Sequence, residues 1–218
     1  IEKDADRRAT ARALRRADGI VVRDERSAAL LAEIGVPAER VVITADPVIR
    51  MKKTDRAVGE TILRRAGVTQ DGRPVVGWAI RERNRDSRFV AVYKRQASQL
   101  PDDTAVCLDE KYLSEDMLSI IGCMDLLVGV RLHSLIYAAI MGVPLIGISY
   151  DPKCTAFLNS VGLDKLSTRD GYTAEAFETE AARVLANGAE RKVRCAHGGR
   201  DQHRFPADAL CQAPRRGA

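Results

Sequence analysis

Residues 125–153 limit the folds open to this chain more tightly than any other stretch. An apolar run over 125–130 stops abruptly at Arg131-Leu132-His133. A compact amphipathic segment follows over 134–141, and Gly142 closes it. A second apolar run over 143–149 ends in Tyr150-Asp151-Pro152-Lys153. Apolar runs this short read as strands, and the segment between them reads as an amphipathic helix. The order is strand, helix, strand, which belongs to a parallel sheet. Charged and titratable residues occur only where each strand stops. In open α/β sheets ligands bind outside the carboxyl ends of the strands, and a helix N-terminus attracts anions. The segment predicts an anion site built from a fixed cation, Arg131, and a proton donor, His133.

The rest of the chain is compatible with such a fold. Its 218 residues allow one large domain or two small ones. Aromatic residues make up only 5%, so Ala, Leu, Val and Ile must build the core. No apolar run reaches the roughly 20 residues that span a bilayer. The opening residues are charged throughout, unlike a secretory signal, and a cytoplasmic location is expected. Ile1 in place of Met leads us to expect that an N-terminal part precedes it. Cys107, Cys123, Cys154, Cys195 and Cys211 form no CxxC pair, so thiols in a reducing compartment are expected, with no zinc site and no disulfide framework. The net charge of +5 lies entirely in residues 191–218, a basic tail expected to be disordered; the body is neutral and offers no nucleic-acid footprint.

The pattern of elements predicts a helix over 5–17 and a strand over 19–23. Asp24 caps a helix with an apolar stripe at Ala28, Leu30, Leu31 and Ile34, and a strand covers 41–44. Residues 1–50 are expected to be the remnant of an N-terminal Rossmann-like lobe that is largely missing. Residues 51–73 are expected to connect the lobes, with a short helix at 55–66 capped by Thr54. Residues 74–190 form the second Rossmann-like lobe. There we expect strands at 74–80 and 105–108 and a helix at 87–99. Further helices are expected at 115–123 behind a Ser114 cap, at 153–161, and at 173–185 behind a Thr173 cap.

Each candidate side chain has a plain reading and a chemical one. Arg131 is either a surface arginine beside a helix start or a bidentate ligand for phosphate or carboxylate. His133, the one histidine outside the tail, is either structural or a general acid whose protonated form a bound anion would favour. Arg81 ends the strand at 74–80; it is part of a solvated charge run or a second arginine for a doubly anionic ligand. Asp151-Pro152 is a turn, or Asp151 orients a hydroxyl or His133 while Lys153 contacts an anion. Arg23, Asp24 and Ser27 are a strand end with a helix cap, or part of a site.

These residues resemble the polysaccharide pyruvyl transferases, especially the bacterial branch that modifies cell-wall polymers. The likeness is carried by Arg131-Leu132-His133, by the Gly142-Val143-Pro144 turn, and by the Ile148-to-Lys153 ending with Phe157, Leu158 and Gly162 behind it. Arg23-Asp24-x-x-Ser27, Asp46-Pro47 and Arg81 fit the pattern as well. The resemblance spans roughly residues 10–50 and 74–190. It implies an α/β fold, two Rossmann-like lobes arranged as in GT-B glycosyltransferases. It also implies pyruvyl transfer from phosphoenolpyruvate to two hydroxyls of a sugar, giving a ketal and free phosphate. Arg81, Arg131 and Leu132 would bind the donor, and His133 would protonate its methylene carbon. No cofactor or metal is required; the partners are phosphoenolpyruvate and a saccharide or lipid-linked acceptor, which brings the enzyme close to a membrane. The sequence departs from the family in its first lobe, in the short interval between Arg81 and Arg131, and in its tail. A GT-B glycosyltransferase using a sugar nucleotide and an inactive, truncated relative remain alternative readings.

Overall fold

The computed structural model describes residues 3–68, 71–80, 105–149, 151–163, 165–167 and 173–187. They form a mixed α/β structure with seven α-helices and two sheets, every strand pair parallel. The chain divides into two units, the first ending at Pro47 and the second starting at Val48.

The first unit contains α1 (Asp4–Leu14), β1 (Ile20–Val22), α2 (Glu25–Glu33) and β2 (Val41–Ile43). Asp24 caps α2 as expected, its carboxylate accepting the Ser27 N–H at 2.7 Å. Leu31, in the predicted stripe, is buried with Ile20 and Val36. β1 and β2 pair in register, Val21 opposite Val42.

The second unit contains α3 (Arg56–Arg65), β3 (Val76–Ala79), α4 (Ser114–Gly122), β4 (Leu126–Gly129), α5 (Leu132–Met141), β5 (Leu145–Ser149), α6 (Pro152–Ser160), β6 (Lys165–Ser167) and α7 (Ala174–Ala186). The strands lie side by side in chain order, β3-β4-β5-β6. All of β4 and the first four residues of β5 are buried, as two-sided strands must be. One face of the sheet is apolar and large. Leu126, Val128 and Val130 of the β4 segment and Ile146 and Ile148 of β5 pack with Phe177 and Val184 of α7. Trp78 of β3 joins them, its ring centroid 5.0 Å from that of Phe177. Fully burying side chains of this size contributes about 1.5–3 kcal/mol each.

The opposite face is narrow at its carboxyl end, where Gly129 and Gly147 sit opposite each other. A Cβ at Gly147 would lie 2.5 Å from two Leu158 methyl carbons, and one at Gly129 would lie 2.9 Å from Leu135 Cδ2 and 3.0 Å from Ser134 Oγ. The missing side chains let α6 and the first turn of α5 press onto the strand ends.

Three sequence expectations need correction. Thr54 does not cap α3; Asp55 does, accepting the Ala57 N–H at 3.0 Å, because a carboxylate one residue nearer the helix reaches its free N–H groups better. Ser114 is the first residue of α4, not its cap; the Asp116 carboxylate reaches back to the Leu113 N–H at 3.2 Å. Residues 105–108 form no strand. β3 pairs directly with β4, so no ladder position opens between them, and Leu108 packs instead against the Leu63–Ile120–Cys123 cluster. The helix expected over 87–99 and the basic tail lie outside the described residues.

α3 falls within the segment read as a connection and packs on α4. Buried Ser119 accepts the Gly59 N–H at 2.7 Å and donates to the Asp55 carbonyl. Among the described residues no helix is long and apolar enough to cross a membrane.

Candidate functional site

β4 hands the chain to α5 through two residues, Val130 and Arg131. Arg131 is the N-cap, with φ −101° and ψ 127°, and no side chain caps the helix. Its carbonyl is held from within α5. The Ser134 hydroxyl donates to it at 2.7 Å and the Leu135 N–H at 3.2 Å. The Arg131 side chain is left to point away from the core, and the residue is exposed.

Leu132, Leu135, Ile136, Ala138 and Ala139 are buried, so α5 is fixed by apolar contacts. His133 is the one exposed residue of this helix. Arg131 and His133 thus share the positive end of one buried helix, where the aligned peptide dipoles favour a negative group. Leu132, between them, packs inward and fixes their spacing. Gly142, with φ 72°, ends the helix in the left-handed conformation that a side chain would oppose.

At the next strand end the chemistry differs. Asp151 caps α6, its carboxylate accepting the Lys153 N–H at 3.1 Å, and Pro152 fills the first helical position. The Lys153 ammonium lies 3.3 Å from the same carboxylate. The two residues read from sequence as ligands for a hydroxyl and an anion are paired with each other. Arg81 and Tyr150 lie outside the described residues.

The two strand ends are also tied together. The Val130 N–H donates to the Ala79 carbonyl of β3 at 3.1 Å, and the buried Cys154 thiol of α6 lies 3.6 Å from the Val130 carbonyl. Ser149 and Thr155 share a hydrogen bond that fastens the same turn of α6 to β5. Cys154 was expected from sequence to be a buried or incidental thiol, and it is buried. Its signal was the spacing Cys154, Phe157, Leu158, Val161, an inward helical stripe that starts at the sheet. Cys123 is buried as well, and burial pushes its thiol pKa up; Cys107 is exposed.

In the first unit the Arg23 guanidinium donates to the Asp46 carboxylate at 2.9 Å. The two residues follow β1 and β2 respectively, so this pair marks the carboxyl edge of that sheet too. Asp24 and Ser27 beside it are engaged in capping α2.

The arrangement in the second unit is an α/β sheet edge carrying an arginine and an imidazole on one helix start. A family model described as polysaccharide pyruvyl transferase matches residues 1–152, which include Arg23, Asp46, Arg131, His133 and the whole of α5. The match takes in the connecting segment at 51–73 and stops at Pro152. The chain belongs to the polysaccharide pyruvyl transferase family, a family of enzymes.

Proposed function

We propose that the chain binds phosphoenolpyruvate at the carboxyl edge of the second unit's sheet. In this reading the second unit is the donor-binding lobe of a GT-B-like enzyme that works in the cytoplasm on a cell-wall or surface polysaccharide. The observation that carries it is the start of α5. Arg131 and His133 are exposed there together, on an uncapped N-terminus at the end of the fully buried strand β4.

Each group has a task. The Arg131 guanidinium offers a planar fork to the phosphate or carboxylate of the donor, with Arg81, two residues after β3, as the second cation. The helix N-terminus adds its dipole. His133 gives a proton to the methylene carbon; the C=C π bond breaks, a methyl group forms and C2 becomes cationic. One sugar hydroxyl attacks C2, the C–O bond to phosphate breaks, and a second hydroxyl closes the ketal. Of the two hydroxyl protons released, one restores His133 and the other leaves on the phosphate. The acceptor is a saccharide, free or lipid-linked, in which case the enzyme works near a membrane surface. Asp151 and Lys153, paired to each other, stand at the rim of this edge.

Calorimetric titration of the full chain with phosphoenolpyruvate tests the reading. Binding is expected, and Arg131→Lys is expected to weaken it about tenfold or more, because an ammonium cannot reproduce the bidentate fork. No heat at millimolar phosphoenolpyruvate, or equal heats for the wild type and Arg131→Lys, would overturn it.

A further inference from the structure

The peptide between Val130 and Arg131 is the last piece of backbone before the proposed anion site, and both polar groups of Val130 are engaged by other elements. Its N–H donates to Ala79 of β3. Its carbonyl is met by the Cys154 thiol, from a helix 24 residues further on. Val130 and Cys154 are both buried, with exposures of 3% and 0%. A thiol is a weak donor, but a carbonyl in such surroundings has no water to turn to, so its loss leaves an unsatisfied group. Cys154 also occupies the turn of α6 that Asp151 caps and that Thr155 ties to Ser149 of β5. One turn of α6 thus reaches two strand ends, β5 through a hydroxyl pair and β4 through the thiol.

We propose that Cys154 is a positioning residue: its thiol fixes the Val130–Arg131 peptide and thereby the direction of the Arg131 guanidinium. The inference rests on the phosphoenolpyruvate reading for its consequence, but the contact itself is independent of that reading. Cys154 is buried, and its effect on Arg131 runs through the Val130 backbone. Its neighbour Thr155 supplies the contrast, since it braces the same turn without reaching Val130.

The test uses the full chain as wild type, Cys154→Val, Cys154→Ala and Thr155→Val. Three quantities are measured: the phosphoenolpyruvate dissociation constant, the urea midpoint, and the backbone amide resonance of Arg131, which responds to hydrogen bonding at the preceding carbonyl. Cys154→Val fills the space but cannot donate; Cys154→Ala leaves a gap as well. Both are expected to weaken phosphoenolpyruvate binding to a similar degree, about three- to tenfold, and to move the Arg131 resonance. Cys154→Val should keep a higher urea midpoint than Cys154→Ala. Thr155→Val should lower the midpoint while leaving the affinity within about twofold of wild type, as expected when an uninvolved bond is removed. The proposal is overturned if Cys154→Val binds as wild type does, or if Thr155→Val weakens binding equally. Should the wild type itself not bind phosphoenolpyruvate, the functional reading fails and the Arg131 resonance decides alone. Movement in Cys154→Val but not in Thr155→Val then sustains the positioning role, and no movement ends it.

Discussion

β4 and β5 are neighbours, parallel and buried along nearly their whole lengths, yet they release the chain in opposite electrostatic styles. After β4, the helix starts on an arginine, no side chain caps it, and a histidine stands exposed on its first turn. After β5, the helix starts on an aspartate that covers its own N–H groups and pairs with the lysine two residues on. The first end has no side-chain cap on its helix. The second has supplied its own anion, and an incoming phosphate would meet the Asp151 carboxylate. The difference teaches that two cations at neighbouring strand ends can stand in unlike settings, one beside a carboxylate that caps its helix and one at a helix start with no side-chain cap.

The most direct way to break this comparison is to remove the cation at each end. Arg131→Ala is expected to weaken phosphoenolpyruvate binding about ten- to a hundredfold, the loss of a charge-assisted contact. Lys153→Ala, which removes half of a partly exposed pair, should change it by no more than about threefold. Calorimetry on the two variants side by side decides the matter. A larger loss in Lys153→Ala would move the donor to the β5 end.

The glycines below these ends sharpen the comparison in a different quantity. At Gly147 a Cβ would meet three carbons of Leu158 at 2.5–2.9 Å, whereas at Gly129 only Leu135 Cδ2 comes under 3.0 Å. Gly147→Ala is therefore expected to cost about 1–3 kcal/mol of stability through overpacking, and Gly129→Ala less. Urea unfolding reads both; equal losses would mean that Leu158 gives way more easily than its packing against β5 implies.

Much of this was legible in the residues, and the reasons differ from element to element. β4 and β5 could be read because two-sided burial leaves unbroken apolar runs. α2 and α7 could be read from their caps: Asp24 and Thr173 both accept an N–H of the first turn. The run at 105–108 misled because four apolar residues in a row look like a strand, while strandhood depends on a partner that sequence does not show. Arg131 and His133 stood out because strand, cation and helix follow one another within a few residues, and both are exposed at the start of α5. The Lys153–Asp151 pair was missed because either residue alone invites a ligand role, and only coordinates show that they satisfy each other. The thiol against Val130 was beyond reach for the same reason, being a contact across 24 residues.

The smallest expected effect isolates charge from capping at the β5 end. Asp151→Ala removes the cap of α6 and should lower stability by about 1 kcal/mol. Asp151→Asn keeps an acceptor for the Lys153 N–H, since asparagine caps helices about as well as aspartate, and should retain most of that stability. It also removes the negative charge beside Lys153. If the donor binds at the start of α5, this change should alter phosphoenolpyruvate affinity by less than about threefold, the scale of one screened surface charge. If the donor instead lies over α6, loss of the competing carboxylate should tighten binding distinctly, because the N–H groups and the freed lysine would both become available to it. Urea midpoints and calorimetry on the same two proteins separate the outcomes. Unchanged stability with strongly tightened binding in Asp151→Asn would place the anion at the start of α6 and not of α5.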